Sequence, residues 1–138
     1  MIKTELQVPV SREKFFDVVS DVASYPEFLK NMKSVKILKE SEDEFEAEFV
    51  INLIKEIRYV LRFKKERPTR LSWELVRGDL MKKNTGAWIL EEGPSETRAR
   101  YEIDVNFGLL VPRKIIEGLT STQLPELMQT FKERAMSL

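Results

Sequence analysis

Glu44-Phe45-Glu46-Ala47-Glu48-Phe49-Val50-Ile51-Asn52-Leu53 is the stretch that decides the fold. Phe45, Ala47, Phe49, Ile51 and Leu53 share one parity; Glu44, Glu46, Glu48, Val50 and Asn52 share the other. A period of two sends successive side chains to opposite faces of a pleated strand, so one face here is apolar and the other largely charged. The pattern continues outward. Ile57, Tyr59, Leu61 and Phe63 alternate with Arg58, Val60, Arg62 and Lys64, and Leu71, Trp73 and Leu75 with Ser72, Glu74 and Val76. Gly86, Trp88 and Leu90 alternate with Ala87 and Ile89. Thr97, Ala99, Tyr101, Ile103, Val105 and Phe107 alternate with Arg98, Arg100, Glu102, Asp104 and Asn106. Ser41-Glu42-Asp43, Pro68, Gly78-Asp79 and Gly93-Pro94-Ser95 punctuate these runs, and Val35-Lys36-Ile37 opens the series. Six runs joined by brief turns predict an antiparallel meander with one wet face.

The flanks change period. Ile2, Thr4, Leu6 and Val8 alternate with Lys3, Glu5 and Gln7 as a seventh strand, which Pro9 ends. Ser11 is placed to cap a helix in which Phe15, Val18, Val19 and Val22 follow at the spacing of one buried face. Residues 24–32 read as a second, shorter helix, capped by Ser24, with Pro26 near its start, where a missing N–H costs nothing. Beyond Gly108, Pro112 suits a first helical position, and Ile115, Ile116, Leu119, Gln123, Leu127, Phe131 and Ala135 fall along one stripe. Pro125 removes a hydrogen bond and crowds the preceding turn, so a kink or break is predicted near residues 120–124. The expected order is one strand, two short helices, a six-strand meander and one long C-terminal helix, an α+β single domain over residues 1–138.

Composition narrows the chemistry. A chain of 138 residues with 42% hydrophobic and 33% charged residues fits one folded domain rather than a disordered chain. No apolar run exceeds four residues, which is too short to span a bilayer. The opening Met1-Ile2-Lys3-Thr4-Glu5 lacks the basic-then-apolar order of a secretory signal, so a cytoplasmic location is expected. Cys and His are both absent, which excludes disulfides, thiolate nucleophiles, Ser-His-Asp triads and the common zinc sites. No Gly-rich phosphate loop or calcium loop is present, so neither metal nor cofactor is expected. Basic and acidic residues balance at 23 each, leaving no global field to attract nucleic acid.

Phe45, Phe49, Tyr59, Phe63, Trp73, Trp88, Tyr101 and Phe107 all lie on the apolar face of the meander. A twisted sheet this wide must curl, and the C-terminal helix is the one long element left to cover its concave side. That helix presents a stripe roughly 10 Å wide. Two outcomes stay open: the large side chains meet and fill the space, or they enclose an apolar cavity, the usual form of a small-molecule site.

One segment carries a resemblance. Val10-Ser11-Arg12-Glu13-Lys14-Phe15-Phe16-Asp17-Val18-Val19-Ser20-Asp21-Val22-Ala23-Ser24-Tyr25-Pro26-Glu27-Phe28-Leu29 resembles the opening of START-like (Bet v 1-type, SRPBCC) helix-grip domains. It is most similar to the polyketide cyclase/dehydrase and coenzyme-Q-binding branch, whose Asp-Val-x-x-Tyr-Pro-x-Phe-Leu phrase is matched by residues 21–29. Gly86-Ala87-Trp88 in a late strand and a final helix after a proline agree in order. Two stretches depart from the relatives: Lys30-Asn31-Met32-Lys33 replaces a Pro-Trp-Cys-like segment, and Gly78-Asp79-Leu80-Met81-Lys82-Lys83-Asn84 replaces a Gly-Pro-Phe segment. These departures mark a divergent subgroup.

The resemblance implies a seven-stranded curled sheet gripping the last helix around a lipophilic ligand, a lipid or an isoprenoid- or quinone-like molecule. The residues it would line with are Phe49, Ile51, Tyr59, Leu61, Trp73, Leu75, Trp88, Tyr101, Ile103, Leu119, Gln123 and Leu127, with Tyr25 and Phe28 closing one end. Aromatase/cyclase relatives imply an alternative enzymatic reading, for which Tyr59, Tyr101, Asn84, Thr85 and Gln123 are the polar candidates. The strand acids Glu44, Glu46, Glu48, Glu74, Glu102 and Asp104 fall on the polar face, where they are expected to pair with Arg58, Arg62, Arg98 and Arg100. No residue is therefore marked as catalytic. Phe107-Gly108-Leu109-Leu110-Val111 is unusually apolar for a surface connection. It reads as a buried cap or as a lid at the cavity mouth, with Arg113 and Lys114 beside it for transient contact with a membrane surface. Lys82 and Lys83, and Lys64, Lys65, Arg67 and Arg70, read as solvated strand ends or, in a third alternative, as contacts of a ribosome-associated module.

Overall fold

A computed structural model describes residues 1–52, 55–118 and 123–138. Leu53 and Leu119, and with them most of the segment where a helix break is predicted, lie outside the described residues. Among the described residues seven strands form one antiparallel sheet: β1 (Ile2–Val8), β2 (Met32–Glu40), β3 (Glu44–Asn52), β4 (Glu56–Glu66), β5 (Arg70–Gly78), β6 (Lys83–Glu92) and β7 (Thr97–Asn106). Their order across the sheet is β1-β7-β6-β5-β4-β3-β2, so β1 closes the meander on β7. The helices are α1 (Arg12–Ser20), α2 (Arg113–Gly118) and α3 (Leu124–Ser137).

The alternation places the aromatic residues on one face, while Val50, Val60 and Ala87 of the opposite parity are buried as well. Phe45, Phe49, Tyr59, Phe63, Trp73, Trp88, Tyr101 and Phe107 are all buried, on the concave side. On the convex side Arg62 bridges Glu46 and Glu74 across three strands at 3.2 and 3.1 Å, and Arg58 meets Glu48 at 2.7 Å. Such exposed pairs add little stability and keep the outer face wet. Ser11 caps α1 as expected, accepting a hydrogen bond from the Lys14 N–H at 3.1 Å.

The shorter helix over residues 24–32 is corrected. The chain forms a 3-10 stretch at Val22–Glu27, and β2 already begins at Met32 rather than Val35. Pro26 has no N–H to extend an α-helical ladder. The Ser24 hydroxyl donates to Asp21 at 2.6 Å instead of capping, and the buried Tyr25 hydroxyl donates to the Val19 carbonyl, drawing the turn inward. The final helix is described in two pieces, and Pro125 sits in the first turn of α3, where its lack of a donor is harmless.

Two irregularities shape the concave side. The β5–β6 ladder pairs Arg70–Glu74 with residues 85–89 and goes no further. Leu75, Arg77 and Gly78 pair with β4 alone, while Lys83 and Asn84 pair with β7 alone, so the sheet is unzipped between β5 and β6 at this end. The second irregularity is Gly86. A Cβ there would lie 2.5 Å from Trp73 Cζ2 and 2.6 Å from the Glu102 carbonyl oxygen. Only glycine lets the indole lie flat on the strand.

Candidate functional site

The concave face divides into a packed end and a hollow end. At the packed end seven rings close a circuit. Trp88 meets Phe131 at 5.3 Å, Phe131 meets Tyr25 at 5.3 Å, and Tyr25 meets Phe49 at 6.5 Å. Phe49 and Trp73 each meet Phe63 at 5.9 Å, and Tyr101 returns the circuit through Trp73 at 5.8 Å and Trp88 at 4.8 Å. Phe15 of α1 backs Trp88 edge-on at 5.4 Å. Met128, Phe131 and Ala135, at i, i+3 and i+7 of α3, are the buried helical residues here.

Beyond this circuit lies a cavity of about 840 Å³. Ile51, Tyr59, Tyr101, Ile103 and Val105 line it from the strands; Met81 and Asn84 line it from the unzipped β5–β6 end. The first turn of α3 contributes Leu124 and Leu127, and Phe28, Leu29 and Met32 complete the wall from the chain that leads into β2. Lys30, Glu126 and Glu133 are charged, exposed and at the rim; Lys30 stands 3.9 Å from Glu126. Arg134 holds the rim segment to α3, meeting Glu27 at 2.9 Å and lying 4.9 Å over the Phe28 ring.

Of the residues singled out from the sequence, Phe28, Ile51, Tyr59, Tyr101, Ile103, Gln123 and Leu127 come together around this cavity. Tyr25, Phe49, Leu61, Trp73, Leu75 and Trp88 are not among its lining residues. All six belong to the hydrophobic core or pack against it. Leu119 lies outside the described residues. The Phe107–Val111 connection is divided in the same way. Phe107 lines the cavity, Gly108 adopts a left-handed φ of 71°, and Val111 is buried in the core. Gly108–Leu110 forms a single 3-10 turn that leaves Leu109 fully exposed. Sequence reasoning left Ile2, Met81 and Val105 out of the lining. Val105 shares its parity with Ile103, a signal that was available; the inward position of Met81 follows from where the β5–β6 ladder stops, which no local pattern marks.

The cavity's inner polar groups are uncharged. Burial pushes the Tyr59 and Tyr101 hydroxyls well above the ordinary tyrosine value, and mutual repulsion of their ionised forms adds to the rise for Tyr59. Tyr25 moves the same way, chiefly through burial. All three are therefore hydroxyl donors at neutral pH rather than bases. Asn84 accepts a hydrogen bond from the Trp73 indole N–H at 3.0 Å. Thr85 of β6 is half-buried, and Gln123 is exposed at the start of α3. Among the described residues no cluster of carboxylates is placed to hold a metal ion, and no helix is long and apolar enough to cross a membrane. Several cations of the basic clusters face carboxylates: Lys83 meets Asp104 at 2.7 Å and Arg67 meets Asp17 at 2.9 Å.

Solved structures of the same shape cover nearly the whole chain. A START superfamily protein from Mycobacterium smegmatis is 19% identical with a TM-score of 0.84, over 99% of this chain and 97% of that one. A STAR-related lipid transfer protein from Xanthomonas axonopodis is 13% identical with a TM-score of 0.81, over 97% of this chain and 84% of that one. The Zhui aromatase/cyclase from a Streptomyces species is 12% identical with a TM-score of 0.80, over 98% of this chain and 92% of that one. At these identities the likeness is one of fold. No match is found among the curated proteins. The model of a family described as "Polyketide cyclase / dehydrase and lipid transport" matches residues 8–132. With almost the entire fold inside that match, the chain belongs to the polyketide cyclase/dehydrase and lipid transport family.

Proposed function

We propose that this protein binds a lipophilic small molecule, a lipid or an isoprenoid- or quinone-like compound, and sequesters or carries it in the cytoplasm. The observation that carries the reading is the cavity of about 840 Å³ with mostly apolar walls and charge confined to its rim. Small-molecule sites commonly enclose roughly 300–1,000 Å³. Transfer of apolar ligand surface out of water contributes roughly 25 cal/mol per Å², so shape and greasiness suffice for useful affinity. The neutral, hydroxyl-bearing interior favours binding over proton chemistry, because raised tyrosine pKa values make poor general bases near pH 7. The exposed Leu109, with Arg113 and Lys114 following it, supports transient contact with an anionic membrane surface during loading.

The test is to extract the purified protein with organic solvent and identify what is released by mass spectrometry. A lipophilic compound in near-stoichiometric amount is the expected result. A protein that releases nothing and takes up no lipophile from solution would sink the reading.

A further inference from the structure

The geometry of one side chain points to the chemistry of the ligand's buried end. The Trp73 indole N–H is a donor only, so its bond to Asn84 Oδ1 at 3.0 Å fixes which way the Asn84 amide faces. The carbonyl turns toward Trp73 and the NH2 turns away. Its recorded partner is the Met81 thioether, with Nδ2 at 3.7 Å from Sδ, a weak acceptor that engages one of two protons. Asn84 is 5% exposed and lines the cavity, so an amide donor is buried there largely unspent. Tyr59 and Tyr101, each 8% exposed, line the same cavity. The Tyr25 hydroxyl donates to a backbone carbonyl, but those of Tyr59 and Tyr101 make no hydrogen bond to any described residue. All three groups face the cavity rather than sealed core, so an apolar ligand that fills it strips them of solvent unless it supplies an acceptor.

We propose that Asn84, Tyr59 and Tyr101 form a subsite for a neutral carbonyl oxygen, as in a ketone, quinone or ester, at the buried end of an otherwise apolar ligand. Trp73 acts as a positioning residue, aiming the amide through its indole. The charges around the cavity belong to the exposed rim residues Lys30, Glu126 and Glu133. A carboxylate or phosphate at the inner end would lose its hydration with no cation to replace it. A hydrocarbon would leave the amide and hydroxyl donors unpaired. This inference rests on the carrier reading above and specifies the ligand class of the same cavity.

The probes are decyl methyl ketone with an isotope-labelled carbonyl, dodecanoate and dodecane, titrated at neutral pH against the full chain. The ketone is expected to bind at least about tenfold more tightly than dodecanoate, with its carbonyl stretch shifted below the frequency it has in hexane. Asn84→Leu should return the band toward the hexane value and weaken ketone binding by about tenfold. Because that change also removes the partner of Trp73, Tyr59→Phe and Tyr101→Phe provide conservative checks, each moving the band part of the way. A band at the hexane frequency in the native protein, or dodecanoate binding as tightly as the ketone, overturns the subsite. If dodecane and ketone bind equally, the subsite falls while the carrier reading stands. If none of the three binds, both fall together.

Discussion

At one end of the concave face Trp88 is enclosed by Phe15, Tyr101 and Phe131; at the other, Ile103, Val105 and Met81 face open space. The strand residues at both ends, Trp88 and Tyr101 at one and Ile103 and Val105 at the other, share the inward parity of β6 and β7. What differs is the backing. The packed end has α1 behind it and the larger residues of α3 pressed into it, whereas the hollow end has Leu124 and Leu127 from the first turn of α3 and a sheet that is unzipped between β5 and β6. Trp73 stands on the border, seated on Gly86 and tied to Asn84. The packed end fills its space and the other is incompletely filled, since an interior close-packed to crystal density leaves no such volume.

The widest break in this comparison comes from Trp88→Ala. Deleting an indole that is 1% exposed at the packed end should lower stability by about 3–5 kcal/mol in urea unfolding. A loss under about 1 kcal/mol would place Trp88 outside the packed region altogether. Gly86→Ala tests the border. The new methyl meets both an indole and a backbone carbonyl that cannot retreat, so a loss of about 1–3 kcal/mol is expected, with a change in tryptophan emission as Trp73 is displaced. An unchanged emission spectrum would argue against the seat described here.

Leu127→Trp probes the hollow end, where added bulk enters empty space. Stability should change by less than about 1 kcal/mol while uptake of decyl methyl ketone is lost. A large destabilisation would show that the end is already full. The smallest effect is alkaline. The raised pKa values of Tyr25, Tyr59 and Tyr101 mean that the folded state holds their protons more tightly than the unfolded chain. Their contribution is complete below the ordinary tyrosine value near pH 10 and drains away as pH rises above it toward the native values. Thermal midpoints should therefore fall from about pH 10 upward, and Tyr59→Phe with Tyr101→Phe should flatten the fall. Midpoints that stay level would mean that these hydroxyls are solvated.

Much of this was legible in the chain. Strict alternation from Phe45 to Phe107 places the aromatic residues on one face, and Ser11 marks the start of α1 because only a short oxygen-bearing side chain caps there well. Asn84 was legible too, as a polar residue on the parity of Gly86 and Trp88, although its partner was not. Residues 24–32 misled because Ser24 reads as a helix cap and Pro26 as a first-turn proline. Tyr25 instead reaches the Val19 carbonyl and holds the turn as a 3-10 stretch, a contact that depends on where α1 ends. Parity also cannot separate Trp88 from Ile103: both point inward, and only their distance from α1 and Phe131 sends one into the core and the other to the cavity.

Periodicity by itself determined the number of strands and the inward face of their aromatic residues, because a period of two sends alternate side chains to opposite faces. The helix-grip arrangement was implied by the resemblance of residues 10–29. The division of that inward surface into core and cavity was decided only in three dimensions. It depends on how far α3 descends, where the β5–β6 ladder stops and what stands behind each ring. Those are distances between segments remote in the chain, and residue order alone does not encode them locally.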